Sequence, residues 1–331
     1  MFAMKMFKAA AEDSKILLKK RWNDTMRVYK IEEHIHLIDV ETAGIKNFIA
    51  SYVLKGKQVA IVETGPTSSI PNLLKGLEEL DVKSEDVAYV AVSHIHLDHG
   101  GGVGTLLKHL PNAKAVVHQR GAPHLANPEK LWQQSRAVLG KITEMYCAPE
   151  PVPEERIIAA TDGMTLDVGG GVRLKVVETL GHASHHLSYY EPLSEGIFPG
   201  DAAGIYINEI DVVVPTTPPP FRLDIALTSI DKLMGFEPKV LFYSHFGKAC
   251  DAVNKLQVYS RQLKLWAKIA KHGLENKENL ETISGKILES DVAVRKAKEY
   301  IEAHQILSET VLGESVQGIV GFVEKYGEVL T

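Results

Sequence analysis

The chain has 331 residues, 45% hydrophobic and 24% charged, which is the balance of a globular protein and excludes a disordered or fibrous one. Its net charge of −5 supplies no global basic field for nucleic acid phosphates. Two cysteines, Cys147 and Cys250, are too few for a disulfide framework and read as buried or idle thiols.

At the amino terminus, Lys5, Lys8, Glu12, Asp13 and Lys15 interrupt the apolar residues, and no later stretch reaches the roughly 18 uncharged apolar residues of a membrane span. A cytoplasmic protein is expected. From Val28 to about Val177 short apolar runs alternate with helical patterns, an α/β arrangement. VYKI, HIHLID, NFIASYVL and QVAIVE predict early strands, and a helix follows Pro66 through IPNLLKGLEEL. The strand VAYVAVS leads directly into a histidine cluster at 94–99, where α/β sheets usually present chemistry. A short helix, VGTLLKHL, and the strands AKAVVHQ, MTLDV, GVRLKVVET, HLSYY and GIFPG come next. The proline-rich VVVPTTPPPF at 212–221 reads as a stiff surface loop, and from about Asp251 the apolar spacing becomes helical. The expected organisation is a catalytic unit over 1–250 and a helical region over 251–331.

Ser93-His94-Ile95-His96-Leu97-Asp98-His99-Gly100 places three imidazoles and a carboxylate within six residues, a density few structural needs explain. In extended chain His94 and His96 face one side and can converge on one ion, while a turn after Leu97 aims Asp98 and His99 at a second. The tetrapeptide recurs at His34-Ile35-His36-Leu37 but continues Ile38-Asp39, without the second half. Inside a predicted strand, that copy reads as sheet surface.

HIHLDHGGG resembles the H-x-H-x-D-H signature of the metallo-β-lactamase superfamily, and the remaining elements follow in order: His182 in TLGHASHH, Asp201 in FPGD and His245 in FYSHFG, each after a strand. The resemblance covers about 28–250 and implies a four-layer αββα sandwich followed by a helical appendage. It further implies that His94, His96 and His182 hold one divalent ion, Asp98, His99 and His245 hold another, and Asp201 bridges them. Asp201 stands where antibiotic-degrading members with this motif generally carry cysteine, which argues against a β-lactamase. Glu63, in VETGP, stands where the family usually has an aspartate supporting the metal loop, and His186 falls where relatives place a supporting histidine. His185 is left without a role.

Two such ions lower the pKa of bound water and polarise the oxygen under attack, so the implied reaction is hydrolysis of a small ester, thioester, lactone or phosphoester by a bridging hydroxide. The branch suggested is glyoxalase II-like or lactonase-like. Zinc suits the donors, and the same donors accept iron or manganese. Asp98 and Tyr206 are the expected catalytic side chains, with His118 and His124 as further cleft candidates. The implied partner is a small-molecule substrate, with no nucleic acid or membrane, and the C-terminal helices are expected to shape the cleft or form a homo-oligomer contact. Two other readings share the scaffold: a persulfide dioxygenase-like enzyme with a single iron, and a binding protein without catalysis.

Overall fold

The computed structural model describes residues 27–327; the amino-terminal segment read above for targeting lies outside them. Strands β1 (Val28–Lys30), β2 (Ile35–Asp39), β3 (Ala50–Lys55), β4 (Val59–Val62), β5 (Val87–Ala91), β6 (Lys114–His118) and β7 (Ile157–Ala160) form a seven-stranded sheet in chain order. It is antiparallel from β1 to β4 and parallel from β4 to β7. The chain then builds β8 (Thr165–Gly169), β9 (Val172–Glu178), β10 (Leu187–Glu191), β11 (Gly196–Phe198), a hairpin of β12 (Ile205–Ile207) and β13 (Val212–Val214), then β14 (Val240–Tyr243) and β15 (Gly247–Cys250). Outside the hairpin these make a six-stranded sheet in the order β15-β14-β11-β10-β9-β8.

Period-two alternation decides which side chains enter the sandwich. In β3, Tyr52 and Leu54 enter the core between the sheets, where they meet Leu174, Val176 and Phe242, while Val53 turns to the outer core beneath the helices. In β9, Val172, Leu174 and Val176 are buried and Arg173 and Lys175 are exposed, so part of the second sheet's outer face is wet. Helices cover both sheets, completing the expected αββα architecture. They are α1 (Ile70–Glu79), α2 (Leu97–Gly100), α3 (Val103–Leu107), α4 (Ala122–Ala126), α5 (Glu129–Leu139), α6 (Ile142–Tyr146) and α7 (Leu223–Met234).

The C-terminal extension comprises α8 (Ala252–Glu275), α9 (Leu280–Ser290), α10 (Val292–Ala303) and α11 (Leu307–Tyr326). Its apolar stripes join the outer core continuously, with Leu256, Tyr259, Leu263 and Trp266 buried in it. Asp291 is buried at the α9–α10 junction, where it accepts from the Trp266 indole (2.8 Å) and caps α10 through the Ala293 N–H (2.9 Å). The helical pattern breaks at His304, whose Nδ1 accepts from the N–H groups of Ile306 (3.2 Å) and Leu307 (3.1 Å) and starts α11 afresh. Both cysteines are free and exposed, which removes the buried alternative of the two expected for them. No helix among the described residues is long and apolar enough to cross a membrane.

Candidate metal centre

Strand direction gathers the site. β10 is antiparallel to both β9 and β11, and β14 is parallel to β11, so β9, β11 and β14 point the same way and end at one edge. His182, Asp201 and His245 follow those three ends. From the other sheet, the chain leaving β5 carries His94 and His96 in an irregular stretch, then turns into α2 with Asp98 and His99. Hydrogen bonds between the layers fix the two contributions together: Tyr52 hydroxyl to Tyr243 carbonyl (2.6 Å), Tyr189 hydroxyl to Val92 carbonyl (2.7 Å), and Leu187 N–H to Ser93 carbonyl (2.7 Å).

The donor atoms of His94, His96 and His182 lie within 4.8 Å of one another, as do those of Asp98, His99 and His245, and those of His94, His99 and Asp201. His182 Nε2 is 3.2 Å from His96 Nδ1. Asp201 sits between the two sets with an oxygen for each: Oδ2 is 3.4 Å from His182 Nε2, while Oδ1 is 3.4 Å from His99 Nε2 and 3.8 Å from His245 Nε2. Two donors each about 2.0–2.1 Å from one tetrahedral ion lie roughly 3.3 Å apart. The separations therefore fit a divalent ion in each set. His99 Nε2 and Asp201 Oδ1 are buried and make no hydrogen bond, although burial normally demands a partner.

Electrostatics agree with that fit. Burial, followed by the neighbouring imidazoles, pushes His94 well below the ordinary histidine range, and burial with His182 does the same to His96; both are neutral, the form that binds metal. Burial opposes charge on His99 too, yet Asp201, Glu63 and Asp98 outweigh it and hold its pKa well above the usual value. Burial would raise Asp201, but His99, His182 and His245 overcome it and keep the carboxyl well below its normal range. His94, His96 and Asp201 thus stand in the forms that bind metal, and His99 is the imidazole whose proton a bound ion would displace.

Four of the donors, His94, His99, His182 and Asp201, are held from behind. His182 Nδ1 donates to the Thr216 carbonyl (3.0 Å), leaving Nε2 for the centre. Ser93 Oγ lies 2.9 Å from His94 Nδ1 and 3.4 Å from His99 Nδ1, and Glu63 Oε1 lies 3.5 Å from His99 Nδ1. Glu63 is almost wholly buried and also accepts from the Ser93 N–H (3.3 Å) and Ser244 Oγ (3.1 Å). Its extra methylene has not carried it away from the loop it was expected to support. His186 Nε2 accepts the Asp201 N–H (3.1 Å) and its Nδ1 meets Thr179 Oγ1 (2.9 Å). Gly200 has φ +53, and a Cβ there would lie 2.5 Å from Ser93 Cβ and 2.7 Å from His186 Nε2, so only glycine presents Asp201 this way.

A cavity of about 560 Å³ opens on the centre. Tyr206, expected at this cleft, does not line it. Along β12 Ile205 faces the cleft, so the next side chain points away: the Tyr206 hydroxyl donates to Asp211 Oδ1 (2.8 Å) and the ring stacks on Tyr243 at 5.1 Å. Tyr206 serves the site through its backbone, donating its N–H to the His245 carbonyl (2.6 Å) and accepting from the Phe246 N–H (3.1 Å). His118 is buried against Glu178 (2.9 Å) outside the cleft lining, whereas His124 and His185 line it. Burial, then His182, pushes His185 down to about 4.

The proline-rich segment is a surface loop only at Pro219 and Pro220; it begins as strand β13 and turns inward at Thr217. Thr217 is fully buried; its N–H donates to Ser315 Oγ (3.2 Å) and its Oγ1 to the Ser315 carbonyl (2.7 Å), which ties α11 to the loop that orients His182. Gly318 permits that approach, since a Cβ there would lie 1.8 Å from the Thr217 carbonyl oxygen. Sequence reasoning missed Tyr146 and Glu314, both of which line the cleft. Neither sits in a motif. Ser93 was legible as the residue before the cluster, but its contacts depend on the turn into α2.

This architecture and its paired His/Asp clusters define a metal-dependent hydrolase fold. A family profile described as the metallo-beta-lactamase superfamily matches residues 45–245, and the chain belongs to that superfamily. The metallo-beta-lactamase fold-containing protein ST1585 of Sulfurisphaera tokodaii is 26% identical over 265 residues, covering 78% of this chain and 94% of the relative. Among solved structures, the archaeal superfamily protein ST1585 from Sulfolobus tokodaii superposes with a TM-score of 0.65 at 24% identity, over 86% of this chain and 97% of that one. The family protein TTHA1429 from Thermus thermophilus gives 0.58 at 20% identity, over 84% and 89%. At these identities the structural likeness establishes the fold alone.

Proposed function

We propose that this protein is a dinuclear metal-dependent hydrolase of a small ester, thioester, lactone or phosphoester. The observation that carries this reading is Asp201, whose two oxygens face two separate donor sets. His94, His96 and His182 are assigned to one ion, Asp98, His99 and His245 to the other, and Asp201 to both. Zinc is the proposed metal because imidazole and carboxylate donors suit a redox-inert Lewis acid, and the cytoplasm is the proposed location. When bound, two divalent ions supply Lewis-acid polarisation and a water whose pKa falls towards 7.

The chain's own part is to orient and protonate. Glu63, Ser93, Thr216 and His186 hold donors in place, and apolar side chains including Ile95, Leu97 and Ile205 line the cleft beside them. For a carboxylic ester, the acyl C–O bond breaks, a bond from the same carbon to the oxygen of water forms, and a proton ends on the departing alkoxide. We assign that proton delivery to Tyr146 instead of Tyr206. Burial, then Asp98 and Glu314, raises the Tyr146 hydroxyl well above its ordinary value, so it stays protonated beside the centre. Of the two roles expected for the C-terminal helices, the contacts favour the cleft wall, to which Ile306, Leu307, Glu314 and Ser315 contribute.

The test is metal analysis combined with an anaerobic panel of nitrophenyl esters, thioesters, lactones and phosphoesters. The expected result is close to two ions per chain and turnover of at least one substrate. A single iron, oxygen uptake on persulfide and no anaerobic hydrolysis would replace the hydrolase with a dioxygenase.

A further inference from the structure

The cleft wall contributed by α5 is unlike an ordinary amphipathic helix. Leu131, Gln134, Ser135, Val138 and Leu139 fall at helical i, i+3, i+4, i+7, i+8 spacing and all line the cleft, yet no residue of α5 is buried. Val138 is 69% exposed, the most exposed large hydrophobic side chain among the described residues. Leu131 and Leu139 are half-buried against the outer core, whereas Val138 stays exposed in the cavity, whose lining also includes Pro218–Pro220, the start of α11 and residues of the metal centre.

Charge on the same walls is one-sided. Among the described residues, no lysine or arginine lines the cleft. Outside the donor sets its acidic side chain is Glu314, whose carboxyl is raised by burial and then by the nearby Asp98. A substrate that extends along α5 with a phosphate or a second carboxylate would meet apolar surface and an acid, with no cation to offset desolvation.

Resting on the hydrolase reading above, we infer that the substrate is a carboxylic ester, thioester or lactone with an uncharged lipophilic arm of medium length, seated against Leu131, Val138 and Leu139 of α5. Nucleotide-bearing or otherwise polyanionic carriers are disfavoured. Hydrolysis proceeds with the bond changes already written; α5 contributes binding of the arm.

The experiment uses the metal-loaded full-length protein with nitrophenyl acetate, butyrate and octanoate, and compares octanoyl-N-acetylcysteamine, a neutral thioester, with octanoyl-coenzyme A. Full burial of a methylene is worth ~0.8 kcal/mol, and a half-open groove captures about half, roughly twofold in kcat/KM per carbon. The expected octanoate-to-acetate ratio is therefore on the order of tenfold or more, allowing for saturation along the groove. Val138→Asp should cut that ratio about fivefold, and the neutral thioester should exceed the coenzyme A ester by about tenfold. A ratio that is flat or falls with chain length, or equal rates for the two thioesters, would overturn the inference while leaving hydrolysis intact. If no substrate turns over, calorimetric titration with octanoate separates the two readings. Binding weakened about fivefold by Val138→Asp supports the groove and removes the hydrolase; no binding removes both.

Discussion

The sequence contains the same four letters twice, and the molecule treats them differently. His34-Ile35-His36-Leu37 enters β2, a strand hydrogen-bonded on both sides, with His36 opposite Lys30 in β1 and Val53 in β3. Ladder bonds hold that backbone straight, so its side chains can only alternate between faces. The surroundings are wrong for a cation: burial, then Lys55 and Lys30, lowers the His36 pKa, and His34 Nε2 lies 3.1 Å from Glu191, an acid already engaged in the β10–β11 turn. His94-Ile95-His96-Leu97 begins where β5 has ended. Freed from a ladder, it turns into α2 within one residue of His96, and three strand ends from the second sheet converge on it. A ligand motif is thus a statement about where a strand stops as much as about residue types.

The sharpest way to break that comparison is paired truncation. His96→Ala should lower kcat/KM on the order of a thousandfold and reduce metal content, whereas His36→Ala should stay within about twofold of the parent. Equal losses in two folded variants would mean that the wrong copy has been assigned to the site.

A smaller effect is expected behind the second copy. Glu63→Gln keeps volume but weakens the partner of His99 Nδ1, so affinity for the ion assigned to His99 should fall about 10–100-fold while the other set keeps its ion. Stoichiometry under limiting metal should then move from two towards one. Loss of both ions together would show that the two halves do not load separately.

Tyr146→Phe should distinguish chemistry from positioning. An alkyl ester, whose poor leaving group needs a proton, should lose on the order of a hundredfold, and a nitrophenyl ester only a few-fold. Uniform losses on both would remove Tyr146 as the proton donor.

The smallest effect concerns Asp39, which ends the first copy. It is buried, accepting the Glu41 N–H (3.0 Å) on Oδ1 and the Asn47 N–H (2.9 Å) on Oδ2. Burial raises its pKa to about 6, outweighing those two bonds. A carboxyl raised above its unfolded value favours the folded chain fully below pH ~3.8, and that contribution is lost as pH rises through about 6. Relative to Asp39→Asn, which cannot ionise, the parent should lose roughly 2 kcal/mol between pH 4 and 7 in denaturant titrations. A pH-independent difference would place the titration elsewhere.

Much of the molecule was legible because local pattern carries it. Strands β1 to β6 and β8 to β11, the helix after Pro66 and the helical region after 251 follow from apolar periodicity, which a single segment expresses by itself; the short edge strands β7 and β15 carry no such pattern and exist by pairing in the folded sheets. The donors were legible because three imidazoles and a carboxylate in six residues, with further donors after later strands, have few uses apart from metal. What tertiary structure decided is which way each remaining side chain points. Tyr206 and Ile205 are equally compatible with a cleft by sequence, and the face that β12 offers the centre separates them. The proline-rich segment reads as exposed until α11 presses onto Thr217 and makes it the support of His182. Glu314 enters the cleft from more than two hundred residues beyond Asp98, a distance no sequence periodicity spans. The physical reason is common to all three. Composition and spacing determine what a segment can do, but orientation towards a distant centre is set by packing between layers that the chain brings together only when folded.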